Sequence, residues 1–186
     1  MRVIAGTARG MPLQAPRDRV TRPITDRVKE TLFDILGASV SEARVLDLYA
    51  GSGAIGIEAL SRGAAHATFV ERGAPALNAL RQNLERTRLA DRATVVAGDV
   101  VAFLGPDAKR EWDLAVLDPP YEEHAILAPL ERLAARIERG GTVVVKHFWR
   151  TPVPEPAGLA VIRVRRFGET SLTFLRHSEP ISERTT

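Results

Sequence analysis

The tetrapeptide Asp118-Pro119-Pro120-Tyr121 is the stretch of this sequence best suited to chemistry. It overlaps the end of the predicted strand Leu114–Asp118. Two prolines fix φ and withhold amide donors, so the aspartate and the backbone carbonyls present acceptors only. An acceptor-only corner fits an exocyclic amino group, which offers two hydrogens while its lone pair is delocalised into a ring. Hydrogen bonds to the Asp118 carboxylate and the Pro119 carbonyl favour a pyramidal nitrogen and aim its lone pair at an electrophilic carbon. Tyr121 is placed to stack on the base, worth about 1–3 kcal/mol. A structural Pro-Pro turn would use the same residues without any chemistry.

A second motif runs from Asp47 to Gly56 (DLYAGSGAIG), after one predicted strand and into a helix. Its glycines at 51, 53 and 56 have the spacing of a dinucleotide-binding turn, a weak signal alone because any tight strand-to-helix turn needs glycine. Glu71 strengthens it: at the end of the next strand, a carboxylate can accept two ribose hydroxyls. Tyr49, Ala50, Gly51, Ser52 and Gly53 form the turn and Arg72 follows Glu71, so all are candidate cofactor contacts. A nicotinamide enzyme and an S-adenosylmethionine enzyme share this much. Asp47 separates them, because an acid four residues before the first glycine repels a pyrophosphate and attracts a sulfonium and an ammonium. Asp99 is placed to accept from an adenine amino group with Val100 beside the ring; an aspartate capping a helix would look the same.

These residues need a scaffold, and the pattern supplies one. Short apolar runs at Val45–Tyr49, Ala67–Glu71, Ala93–Ala97, Leu114–Asp118 and Thr142–Val145 read as strands buried in a parallel sheet. Helical stretches separate them at Ala54–Arg62, Pro75–Arg88, Val100–Leu104 and His124–Arg139, the last with a stripe of Leu127, Leu130, Ala134 and Ile137. The alternation predicts a doubly wound α/β fold with a mostly parallel seven-stranded sheet. Ala160–Phe167 and Thr170–His177, joined by Gly168-Glu169, close it as an antiparallel hairpin. Ahead of the sheet, Arg2–Ala5 and Met11–Ala15 read as a short β-hairpin. Thr25 then caps a helix whose Val28, Leu32, Ile35 and Leu36 share a face. The division is a basic extension over 1–40, a catalytic domain over 41–178 and a tail over 179–186.

Composition narrows the classes. With 186 residues, 45% hydrophobic and 26% charged, the chain makes one globular domain. No stretch reaches the roughly 18–20 apolar residues of a membrane span, and the start lacks the apolar core of a secretory signal. The absence of cysteine removes disulfides, thiolate nucleophiles and cysteine metal sites, and the four histidines are scattered. A cytoplasmic monomer without metal is expected. The net charge is +3, and residues 1–30 carry seven basic side chains against three acidic ones, so the first sixth supplies the whole excess. Such a segment suits a polyanion, although a solvated arginine-rich surface is the plainer alternative.

Asp47–Gly53, Glu71, Asp99 and Asp118–Tyr121 together resemble the class I S-adenosylmethionine-dependent amino-methyltransferases. Arg2–Gly10 (RVIAGTARG), Arg22–Leu36 (RPITDRVKETLFDIL) and Arg166–Thr170 (RFGET) resemble, more narrowly, the bacterial 16S rRNA guanine-N2 methyltransferases of the RsmD type. Ile24 departs from the threonine usual there. The resemblance implies transfer of a methyl group to a guanine of the G966 type in the small ribosomal subunit or its assembly intermediate. It implies Asp118, Pro119 and Tyr121 as catalytic residues. Arg9, Arg17, Arg19, Arg22 and Arg27 would contact RNA, with Thr25 at the pocket mouth. A DNA adenine-N6 methyltransferase shares the Asp-Pro-Pro-Tyr corner, but 186 residues show no separate target-recognition domain. A non-catalytic assembly factor would not need the corner at all.

Overall fold

The computed structural model describes residues 1–16, 24–105, 111–119 and 124–178. The elements are α1 (Asp26–Leu36), β1 (Arg44–Leu48), α2 (Ala54–Ser61), β2 (His66–Glu71), α3 (Ala74–Thr87), β3 (Ala93–Ala97), α4 (Val100–Phe103), β4 (Trp112–Leu117), α5 (His124–Ala134), β5 (Ile137–Phe148), β6 (Leu159–Phe167) and β7 (Thr170–His177). The strands form one seven-stranded sheet in the order β3-β2-β1-β4-β5-β7-β6. The first five are parallel, and β7 runs antiparallel to both β5 and β6. The order reverses between β1 and β4, and the crevice at the carboxyl ends of those two strands is where open α/β sheets take ligands.

Two apolar layers hold the sheet. Val45 and Phe69 pack on one face with Leu32 and Phe33 of α1, Ile57 and Leu60 of α2, and Leu80 and Leu84 of α3. Leu46, Leu48 and Val143 pack on the other with Val100 of α4 and with Leu130 and Leu133 of α5. Val143, Val144 and Val145 are all fully buried, as expected of a strand covered on both faces. The predicted doubly wound α/β architecture is therefore the observed one.

Most element bounds fall within two residues of the sequence expectation, but those around β5, expected over Thr142–Val145, do not. The helix predicted over His124–Arg139 ends at Ala134, and Ile137 already pairs with Trp112 as the start of β5. Its buried side is Ile126, Leu130, Leu133 and Ala134, while Leu127 is 48% exposed. Ile137 is buried through the strand, so an apolar residue one turn further on mimicked helical spacing. The predicted N-terminal β-hairpin is present but short: Arg2 and Pro12 bridge antiparallel, with Val3 N donating to Met11 O and Leu13 N to Met1 O at 3.0 Å each, and Gly10 N to Val3 O at 2.9 Å. The pairing stops there because the amides of Ile4 and Ala5 go to the Glu58 carboxylate, at 2.7 and 3.0 Å.

That carboxylate anchors the first residues to α2. Glu58 and Lys29 have no exposed side-chain surface and pair at 3.1 Å, while Lys29 Nζ also donates to the Arg2 carbonyl. Arg62 Nε donates to Glu58 at 2.8 Å. Ser61 Oγ donates to Ala5 O at 2.6 Å and accepts from Ala8 N at 2.9 Å. Gly6 is required where this segment touches α2: its φ is 82°, and a Cβ would fall 1.8 Å from the Ser61 carbonyl oxygen. Val3, Ala8, Leu13 and Ile24 lie in the same buried cluster as α1 and β1, so residues 1–13 belong to the packed body. Thr25 caps α1 as expected, accepting from Val28 N at 3.3 Å. Among the described residues, no helix is long and apolar enough to cross a membrane.

Candidate active site

Asp47 is the last but one residue of β1 and is 1% exposed. Its Oδ2 accepts from Gly56 N, in the first turn of α2, at 2.9 Å. Burial pushes this carboxyl up to about 8, and the nearby Asp118 and Glu71 add to the rise against the pull of the Gly56 amide. A buried acid ringed by acids is a poor neighbour for an anion and a strong attractor for a cation.

The chain then turns sharply. Tyr49 has φ 60°, unusual for a residue with a side chain, and Gly51 and Gly53 have φ 55° and 80°. Ala50 N donates to Val70 O and Gly53 N to Ala50 O, which pins the turn against β2. A Cβ on Gly53 would meet Leu80 Cδ1 at 2.3 Å, whereas one on Gly51 would meet nothing within 4 Å. The first glycine faces open space and the second is required by packing. Ser52 is buried, and its carbonyl accepts from Asn83 Nδ2 of α3 at 3.0 Å.

Glu71 ends β2 and accepts three backbone amides: Gly51 N at 2.8 Å on one oxygen, and Arg72 N and Gly73 N at 2.9 and 2.7 Å on the other. It thus ties the glycine turn to the turn after β2. Arg72 itself is exposed. Asp99 follows β3 and caps α4, accepting from Val101 N and Ala102 N through Oδ1 at 2.9 and 3.0 Å. It remains exposed beside buried Val100. Partial burial and the Asp99 charge raise the Tyr49 hydroxyl against the opposing pull of Arg72.

Asp118 follows β4, and its amide donates to Leu48 O at 3.3 Å, so the ends of β1 and β4 are laced together. Its Oδ1 accepts from Lys146 Nζ of β5 at 2.6 Å. Burial raises the Asp118 carboxyl, and the Lys146 ammonium opposes that rise through charge and hydrogen bond. Pro119 is buried. Tyr121 lies outside the described residues, as do Arg17, Arg19 and Arg22. Arg9 is exposed in the turn between Gly6 and Gly10, and Arg27 is exposed on α1. Lys29, counted in the basic segment, is spent on Glu58 inside the protein and offers nothing to a partner.

Asp47, Glu71, Asp99 and Asp118 thus gather at the carboxyl ends of the four strands β1 to β4, with the glycine turn between them. Lys146 and Asn83 were not legible as site residues. A lysine directly after the apolar run Val143–Val145 was the available signal for the first, and Asn83 gave none. Asn83 also accepts from Gln14 N at 2.8 Å and donates to Gln14 O at 3.0 Å, joining the N-terminal segment to the Ser52 turn.

The strand order and this ring of acids around a glycine turn define a class I methyltransferase fold. A solved Escherichia coli structure, yhhF, described as a candidate methyltransferase, superposes with TM-score 0.86 at 31% identity, covering 97% of this chain and 99% of that one. A Bacillus subtilis (strain 168) chain named as a candidate rRNA methyltransferase, YlbH, is 38% identical over 181 residues, 95% of this chain and 98% of its own. Ribosomal RNA small subunit methyltransferase D of Escherichia coli (strain K12) is 41% identical over 121 residues, 65% of this chain and 60% of its own. The family described as Conserved hypothetical protein 95 matches residues 1–176. The chain belongs to that family, the RsmD family.

Proposed function

We propose that this protein methylates 16S rRNA of the small ribosomal subunit, using S-adenosylmethionine and modifying the exocyclic N2 amino group of one guanine. The observation that carries this reading is the convergence of Asp47, Glu71, Asp99 and Asp118 on one crevice, with Asp47 pushed up to about 8. A cationic cofactor fits that donor set, because its charge would stabilise the ionised carboxylate that burial now penalises. When bound, S-adenosylmethionine supplies an electrophilic methyl carbon on a sulfonium, whose electron pair stays with sulfur as the new N–C bond forms.

The chain's own residues do the positioning. Asp47 faces the positive end of the cofactor, Glu71 takes the ribose hydroxyls at its remaining lone pairs, and Asp99 accepts from the adenine amino group beside Val100. Tyr49 to Gly53 and Arg72 line the rest of the pocket. Lys146 holds Asp118 Oδ1, which leaves Oδ2 to accept from the guanine amino group together with the Pro119 carbonyl. The two acceptors orient the nitrogen, and placement of this kind supplies much of the barrier reduction in a direct displacement. Asp118, raised by burial, is also the base beside the proton that the nitrogen sheds. Tyr121 would stack on the extruded base, while Arg9, Arg17, Arg19, Arg22 and Arg27 hold flanking phosphates. An unpaired loop base lowers the extrusion cost of a few kcal/mol.

The test is tritium transfer from labelled S-adenosylmethionine to unmodified small subunits and, in parallel, to duplex DNA. Label in 16S rRNA, lost in Asp118→Ala, is expected. Label in duplex DNA alone would make the protein a DNA adenine methyltransferase. Full ribosome-assembly function in Asp118→Ala would make it a binding protein.

A further inference from the structure

The basic hairpin end that carries Arg166–Thr170 is not used by the chemistry above. Strand β6 is the sheet edge, and Arg163, Arg165 and Arg166 on it are exposed. Arg163 pairs with Phe174 and Arg165 with Leu172. Because directly opposed residues share a face, these two arginines stand on the side that α1 covers, whereas Arg166, opposite Ser171, stands on the other. Among the described residues, neither enters an ion pair. Beyond the end of β5, Trp149 is part-exposed and carries the Arg166 guanidinium 3.8 Å from its ring centroid and the Arg150 guanidinium at 4.6 Å. Trp149 N donates to Glu169 O at 3.0 Å and Arg166 Nε donates to Gly168 O at 2.8 Å, so the hairpin turn holds this cluster in place.

Its location gives it meaning. Strands β4, β5 and β6 run in the same direction, so Trp149 and Arg166 emerge at the sheet end where Asp118 lies. Trp149 is three residues past Lys146, about 10 Å along the strand direction, and β6 is three strands from β4, about 14 Å across. A strand whose target base enters the Asp118 corner can continue over this surface. Guanidinium and indole planes stack unpaired bases, and edge arginines neutralise phosphates.

We infer that Trp149 with Arg150 and Arg166, joined around the free edge of β6 by Arg163 and Arg165 on its other face, forms a second RNA-docking surface. It holds the single-stranded nucleotides next to the methylated base. The inference rests on the rRNA reading above. Exposed arginines on an edge strand also deter pairing with a second copy of the chain, and the test separates that role.

Binding to unmodified small subunits is measured across a salt series for the full chain, Trp149→Ala and the double variant Arg163→Ala/Arg165→Ala. Cofactor affinity, melting temperature and oligomeric state are followed in parallel. Trp149→Ala should weaken RNA binding roughly 5- to 150-fold at fixed salt with the salt slope unchanged, as for one lost stack. The arginine pair should lower the slope by about 1.4, the value for two single-strand phosphates. Cofactor affinity should not move. If the full chain methylates subunits while all variants keep its affinity and slope, the docking surface is refuted and the methyltransferase reading stands. If the arginine variant instead only dimerises, these arginines guard the edge and the proposal fails. If the full chain neither binds nor methylates subunits, both readings fall.

Discussion

Replacing Asp47 with asparagine should stabilise the cofactor-free protein, and the gain should grow with pH. The carboxyl ordinarily titrates at 3.8 and is raised to about 8 here, chiefly by burial. An acid with a raised folded value binds more protons folded than unfolded between those limits, so stability falls as pH climbs from 3.8 toward 8. At about 1.4 kcal/mol per unit, the ionisable group costs roughly 1.7 kcal/mol at pH 5 and roughly 4 kcal/mol at pH 7. Asparagine keeps an oxygen for the Gly56 amide but brings a buried NH2, which costs about 1–3 kcal/mol if unpaired. The net gain is therefore near zero at pH 5 and about 1–3 kcal/mol at pH 7. For a chain of this size, each kcal/mol is roughly 2–4 °C in melting temperature. Thermal melts of both proteins at pH 5, 6 and 7 read it directly. Asp47→Asn should also bind S-adenosylmethionine more weakly, because the cation loses its counter-charge. Equal melting differences at pH 5 and pH 7 would refute the raised carboxyl and with it the electrostatic argument for a cationic cofactor.

Lys146→Met should lower kcat about 10- to 150-fold, the loss of one hydrogen bond to a charged group, with little change in cofactor KM. Its acid limb should move to higher pH, since burial still raises Asp118 while the opposing ammonium is gone; an unmoved limb would deny Lys146 its positioning role, and Lys146→Arg should restore part of the rate. Glu71→Ala should weaken cofactor binding about 5- to 150-fold in calorimetry, through lost ribose contacts and the freed amides of Gly51 and Gly73. Glu58→Ala should destabilise the fold by about 3–5 kcal/mol in denaturant melts, because Lys29 is left charged and buried. Lys29→Met combined with Glu58→Ala should recover part of that loss.

The parallel strands were readable because residues such as Val143–Val145 are buried on both faces and leave unbroken apolar runs. The acids at strand ends were readable because a parallel topology, not local pattern, puts the carboxyl ends of β1 to β4 at one end of the sheet. Contacts that depend on strand neighbours were not. Lys146 meets Asp118 only because β5 lies beside β4, and Asn83 reaches both Gln14 and Ser52 across three separate segments. The basic N-terminal segment was only half readable. Charge counting treats Lys29 like Arg27, yet the first neutralises Glu58 in the interior while the second faces solvent. Glu71 fastens three backbone amides, a role its place at a strand end did not reveal, and a carboxylate so bonded still has a lone-pair site open to a ligand.

The most direct measurement is to identify the methylated nucleoside. Small subunits lacking the modification are incubated with pure protein and S-adenosylmethionine, and their 16S rRNA is digested to nucleosides for mass spectrometry. A chain without cysteine has no thiolate to add at C6 of cytosine, the step that ordinarily opens C5 to methylation, while Asp118 and Pro119 present acceptors for an amine. N2-methylguanosine, absent with Asp118→Ala, is the predicted product. C5-methylcytosine made by the pure protein and lost in Asp118→Ala would contradict both the chemistry and the substrate.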